Sequence, residues 1–187
     1  MRLFAAMDIP EDVRAAIGAL VANLRAACRN ARWVRIEGAH LTLKFIGEVS
    51  PEEAEGIKTA LATVPFPAPI TIHFGGLGFF PNDRRPHVLW SGIEAGPELA
   101  ALAAAVETAL GPLGIPRDDR AFSPHLTLAR FDSPEGLNDL HSAIEAAGPL
   151  EFGSTTAKEF HLYQSVLKRS GAEYTRLATF AFAGNEK

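Results

Sequence analysis

One tetrad, His-Leu-Thr-Leu, occurs twice in this chain, at residues 40–43 and 125–128, and a Ser-Pro-Glu follows each copy a short way on. The two histidines stand 85 residues apart in a chain of 187. No other feature constrains the fold as much. Two copies are too few for a solenoid, which needs at least three stacked units. At the usual ~150 residues per domain, the length allows one domain or two small lobes folded together. A duplicated unit in such a chain predicts two similar lobes that face one another.

The residues around each tetrad support mixed elements. Leu3 to Met7 is apolar and ends at Asp8-Ile9-Pro10, a strand and its breaker. Val13, Ile17, Leu20, Val21, Leu24 and Cys28 then recur at helical spacing, with Pro10, Glu11 and Asp12 suited to the first turn. Ser50-Pro51-Glu52-Glu53 has the marks of a capped helix start, and the helix is expected to reach about Val64. Pro69–Phe80 and His87–Ile93 read as strands around a polar turn, and Pro97–Leu110 as a helix. Ser133-Pro134-Glu135 is expected to open another helix. Phe160–Leu167 and Tyr174–Phe182 read as strands around Lys168-Arg169-Ser170-Gly171. Mixed elements with short strand connections predict an α+β fold with largely antiparallel sheets. The whole chain, 1–187, is expected to form a single bilobal domain with two internal repeats.

Side chains alternate faces along a strand. His40 and Thr42 therefore share one face, and Leu41 and Leu43 the other; His125 and Thr127 stand likewise against Leu126 and Leu128. Each strand anchors itself through two leucines and presents an imidazole beside a hydroxyl. If the lobes face each other, both imidazoles and both hydroxyls converge. That set suits phosphodiester cleavage by proton transfer: one histidine accepts a proton from the attacking water, and the other donates one to the departing oxygen. The threonines can hydrogen-bond the non-bridging phosphate oxygens. This scheme requires no metal and no cofactor. The residues alone support the pair and leave open which histidine plays which part.

Composition narrows the partners. The formal net charge is −4, whereas a protein that grips nucleic acid chiefly by charge is normally basic. Any hold on RNA should be local, at one end or one phosphate. The single cysteine, Cys28, permits no internal disulfide and no thiol cluster for zinc; on an apolar helix face it reads as packing. The apolar run before Asp8 is too short for a signal-peptide core, and no stretch approaches the ~18 residues of a spanning helix. A soluble, cytoplasmic monomer is expected, with no membrane partner.

The paired motifs resemble those of the 2H phosphoesterase superfamily. Arg32-Trp33-Val34, the run Phe122-Ser123-Pro124-His125-Leu126-Thr127-Leu128-Ala129-Arg130, and Leu162–Leu167 with Gly171 and Tyr174 narrow the resemblance to the RNA 2′,3′-cyclic phosphodiesterases, also called 2′-5′ RNA ligases. It extends from Leu3 to about Phe182. The resemblance implies a bilobal 2H phosphoesterase fold with two pseudo-symmetric lobes, outer helices and a central cleft holding both motifs. It implies hydrolysis of a terminal 2′,3′-cyclic phosphate to a 2′-phosphate, reversible as 2′-5′ ligation, with His40 as proton donor and His125 as proton acceptor. Thr42 and Thr127 would bind the phosphate. Arg130 would lie near it too, although on a flat strand its parity points it away, so a bulge would have to redirect it. The rival readings are a cyclic phosphodiesterase for small nucleotides such as ADP-ribose cyclic phosphate, and a binding module for RNA ends or nucleotides without turnover. ATP-driven ligation ranks low, because no lysine is followed by Asp-Gly.

Other residues carry weaker readings. Trp33 and Phe45 could stack on a base, though strand aromatics more often belong to a core. Arg84, Arg85, Lys168 and Arg169 read as solvated turn charge, or as a rim guiding an RNA tail. His73, His87, His141 and His161 read as non-catalytic. Gly75-Gly76-Leu77-Gly78 lacks the Lys-Ser/Thr of a phosphate loop and reads as a bulge or bend.

Overall fold

Both tetrads open β-strands, and the elements around them follow in the same order. The computed structural model describes residues 1–64, 69–169 and 171–182. Along the chain lie β1 (Arg2–Asp8), α1 (Glu11–Ala27), β2 (Arg32–Trp33), β3 (His40–Glu48), α2 (Pro51–Ala62), β4 (Ile70–Phe80) and β5 (Val88–Ala95). Then come α3 (Pro97–Leu110), β6 (His125–Arg130), α4 (Leu137–Ala147), β7 (Glu151–Ala157), β8 (Glu159–Lys168) and β9 (Gly171–Ala181). The series β1-α1-β3-α2 recurs as β5-α3-β6-α4.

Two sheets result, one ordered β3-β1-β8-β9 and the other β2-β6-β5-β4-β7. Every pairing is antiparallel, so the α+β expectation holds. Apart from the short β2, the orders correspond strand for strand: β3 to β6, β1 to β5, β8 to β4, β9 to β7. The units are interlaced. β4 follows α2 yet joins the second sheet beside β5, while β8 follows α4 yet joins the first sheet beside β1. The helices cross as well, with α1 packed on α4 and β7, and α3 on α2 and β3. A continuous core runs between these layers.

Local chemistry explains most boundaries. Ser50 caps α2: its side chain accepts from the Glu53 N–H at 3.1 Å, and the Ser50 N–H donates to the Glu53 carboxylate at 2.6 Å. The second Ser-Pro-Glu does not open a helix, contrary to expectation. There the third residue after serine is Gly136, not a glutamate, and its left-handed backbone (φ 80°) ends a turn before α4 begins at Leu137. No reciprocal cap forms without that carboxylate. The glycine run in β4 is a double irregularity, with register slips on both neighbouring strands and Gly76 at φ 71°. The two-residue β2 and the longer β7 are strands not expected from the sequence. β7 is an edge strand whose one large apolar side chain, Phe152, is buried, leaving little alternation to read. Ser170, in the expected hairpin turn, lies outside the described residues.

Candidate active site

The leucines of each tetrad are the anchors. Leu41, Leu43, Leu126 and Leu128 are all buried, each contributing about 1.5–3 kcal/mol by leaving water. His40, Thr42, His125 and Thr127 are half-buried on the opposite faces. Both strands then bulge at the same place. In β3 the register slips so that Thr42 faces Ala6 while Lys44 faces Ala5. In β6, Thr127 faces Trp90 while Ala129 faces Leu89. An extra residue sends two successive side chains to the core and restores the next to the histidine face. Arg130 is thereby turned to the side of His125 and Thr127, where it is exposed and, among the described residues, makes no ion pair. Its counterpart on β3 is Phe45, 67% exposed.

Each imidazole answers to the carbonyl two residues upstream. His125 Nδ1 lies 2.8 Å from the Ser123 oxygen; a carbonyl only accepts, so Nδ1 carries the hydrogen and Nε2 is left for chemistry. The Gly38 carbonyl, likewise two residues upstream, acts on the His40 ring and favours its charged form. The strands are brought together by three links. The Val34 N–H donates to the Leu128 carbonyl at 2.9 Å, continuing β2 along β6, and β3 packs on β6. Lys44, only 2% exposed, reaches from β3 to Glu107 at 2.6 Å, to Asp118 at 3.2 Å and to the Pro116 carbonyl at 2.7 Å. These last partners belong to α3 and to the loop that leads into β6.

The surroundings of the two histidines differ. His40 sits among Phe4, Tyr163 and Tyr174, with ring centroids 5.8, 4.4 and 5.2 Å away, and its side chain is 10% exposed. Burial lowers its pKa from the ordinary histidine value, against the opposing pull of the Gly38 carbonyl and Asp8. The Asp8 carboxylate stands 4.0 Å from His40 Nε2 and 3.6 Å from His161 Nε2, and it accepts from the Tyr163 hydroxyl and from Arg176. Burial also lowers His161, whose Nδ1 meets the Thr179 hydroxyl at 3.0 Å. Burial, then the bond to Asp8, pushes Tyr163 up to about 12, so it remains a neutral donor. Among the described residues, His125 meets one ring, Phe80, at 5.1 Å.

The sequence reading missed Asp8, Tyr163, Arg176 and Lys44 as members of this neighbourhood and set His161 aside. Their only signal is strand pairing, which a motif does not carry. Trp33 is part of the packing, its Nε1 donating to the Cys28 carbonyl at 2.8 Å. Cys28 is buried and burial raises its pKa, in keeping with inert packing. His73 and His87 are exposed, and His141 meets the Asp83 carbonyl at 3.1 Å. Arg84 and Arg85 lie on an exposed turn, and Lys168 pairs with Glu173. Two hollows along α3, of about 390 and 250 Å³, include neither histidine. Among the described residues, no group of three or more His, Cys, Asp or Glu side chains is arranged to hold a metal ion, and no helix is long and apolar enough to cross a membrane.

The profile of the 2′-5′ RNA ligase superfamily matches residues 9–169, a span holding both tetrads. The chain belongs to this superfamily. Within it, a protein of Archaeoglobus fulgidus named RNA 2′,3′-cyclic phosphodiesterase is 34% identical over 182 residues, covering 96% of this chain and 99% of its own. A Thermus thermophilus protein of the same name is 36% identical, covering 98% and 91%. Among solved structures, TT0787 of Thermus thermophilus matches over 100% of both chains with a TM-score of 0.79 and 33% identity. LigT of E. coli, crystallised with 3′-AMP, matches over 97% of both with a TM-score of 0.74 and 28% identity. The superfamily fold thus spans both sheets, and the two pseudo-symmetric lobes expected from the duplicated tetrad are those of this family.

Proposed function

We propose that this protein hydrolyses the 2′,3′-cyclic phosphate at RNA ends to a 2′-phosphomonoester by metal-independent acid–base catalysis. One observation carries the reading. Two strands, bulged at the same position, each present an imidazole beside a threonine on one face. The names of the relatives support the substrate class.

In this scheme water attacks phosphorus while His125 Nε2 takes its proton. The P–O3′ bond breaks and His40 gives a proton to the departing oxygen, leaving a 2′-phosphate and a 3′-hydroxyl. Each transfer is worth about 10²–10⁴-fold. The Thr42 and Thr127 hydroxyls and the Arg130 guanidinium hold the non-bridging oxygens, a planar fork suiting that task. With a ribose 5′-hydroxyl in place of water, the same displacement forms a P–O5′ bond as P–O3′ breaks, and the product is a 2′-5′ linkage with a free 3′-hydroxyl. We read residues 1–187 as one catalytic unit, working as a cytoplasmic monomer without a cofactor.

The test is an oligoribonucleotide ending in a 2′,3′-cyclic phosphate, incubated in EDTA, with product mass and regiochemistry determined. A 2′-phosphate is expected, and it should disappear in both His40→Ala and His125→Ala. Turnover that requires a divalent metal would overturn the mechanism; binding without turnover would leave a recognition module. A second reading has its own support, since LigT was crystallised with 3′-AMP, ATP and NADP⁺, all of nucleotide size. Faster hydrolysis of a cyclic mononucleotide than of the oligonucleotide would favour a small-nucleotide enzyme.

A further inference from the structure

The two half-sites share strand order, bulge and carbonyl contact, but they differ at one register position. Across the ladder from His40 stands Asp8. Across from His125 stands Gly92, where a Cβ would lie 2.4 Å from the Gly75 carbonyl oxygen. One imidazole has a carboxylate at its side, and the other has no room for any side chain.

We infer that Asp8 is a positioning residue that offsets the burial of His40 and so supports it as the proton donor. The inference deepens the proposed reaction and rests on the reading of His40 as a catalytic residue. A general acid has to hold its proton until the leaving oxygen claims it, and burial among three rings works against that. At 4.0 Å from Nε2, the Asp8 oxygen is too far to take the proton into a hydrogen bond of its own. It is close enough for its charge to favour the imidazolium.

The rest of the cluster keeps that charge in place. On β8, the neutral Tyr163 hydroxyl donates to one Asp8 oxygen, and on β9 Arg176 donates to the other. His161 is held by Thr179, and its burial favours the neutral ring, so it approaches Asp8 without cancelling it. Arg14 from α1 is directed to the Ile9 and Glu37 carbonyls. Glu159 adds negative charge beside His161. Arg176 partly neutralises Asp8, which keeps the expected effect moderate.

The experiment compares wild type and Asp8→Asn over a kcat/KM–pH profile with two substrates. One is the cyclic phosphate; the other is its analogue with sulfur in place of O3′, whose leaving group needs no proton. Asp8→Asn should move the alkaline limb down by about one pH unit, a tenfold loss on that side, and leave the acid limb in place. The sulfur analogue should be cleaved at the wild-type rate by Asp8→Asn. His40 ring resonances followed by NMR should titrate lower in the variant, a readout independent of turnover. An equal loss at every pH and with both substrates would show a merely structural tie between β1 and β9. Unmoved limbs with wild-type rates would also overturn the inference. Full activity in His40→Ala would instead remove the underlying reading, and so separates the two failures.

Discussion

The half of the molecule around His40 and the half around His125 share backbone down to a single inserted residue, yet their side chains have parted. Position by position after each bulge, Lys44 answers to Ala129 and Phe45 to Arg130. Asp8 answers to Gly92, and among the described residues His40 stands beside three rings where His125 meets one. The backbone geometry that aims an imidazole and a hydroxyl recurs in both sheets. The charge, polarity and crowding that decide what an imidazole does there have not been kept alike. Two identical histidines cannot act as acid and base in the same turnover unless something tells them apart, and here the distinction resides in their neighbours.

Substitutions can test how far that division goes. The largest effect on stability is expected at Lys44, whose counterpart Ala129 carries no charge. Lys44→Met leaves Glu107 and Asp118 without their buried cation and should cost about 3–5 kcal/mol in urea unfolding. Arg32→Ala breaks only an exposed pair with Asp132 and should cost less than about 1 kcal/mol; equal losses would contradict the contrast. Next, Leu41→Ala and Leu126→Ala should each destabilise by about 2–5 kcal/mol and by similar amounts, because both anchor the same backbone. A large disparity would show that the halves differ in packing as well as chemistry.

A pH effect comes third. Burial holds His40 and His161 below the ordinary histidine value of 6.5, so the folded state favours their neutral rings. The stability this confers is fully present above that value and is lost as pH falls through the lower folded pKa values. Tm should therefore drop on acidification from about pH 6.5, and His161→Gln should flatten the slope. An unchanged slope would assign the acid sensitivity elsewhere. The smallest effect belongs to the helix starts: Ser50→Ala should cost about 1 kcal/mol, and Ser133→Ala close to nothing.

Much of this was legible in the sequence because it rests on short-range patterns. The His-x-Thr alternation placed four side chains on their correct faces, and Ser50-Pro51-Glu52-Glu53 encoded its own cap. Where a local pattern meets one changed residue, as at Gly136, the same three letters Ser-Pro-Glu lead to a turn instead. Arg130 shows a different limit. Its parity is readable, but the bulge that reverses it is fixed by pairing with β5. Asp8, Tyr163, His161 and Arg176 are invisible as a group for the same reason: they meet only because β1 lies between β3 and β8, whose residues come from opposite ends of the chain.

That last pairing bears on synthesis. The chain emerges from the ribosome N-terminus first, and β2, β4, β5 and β6 are all available once Arg130 has been made. The first sheet waits, since Arg2 pairs with Ser165 and β8 in turn with β9. β1 thus waits for its partner β8 until everything between them has been translated. The carboxylate beside His40 receives its tyrosine and arginine only when β8 and β9 arrive, so of the two half-sites this one is completed later.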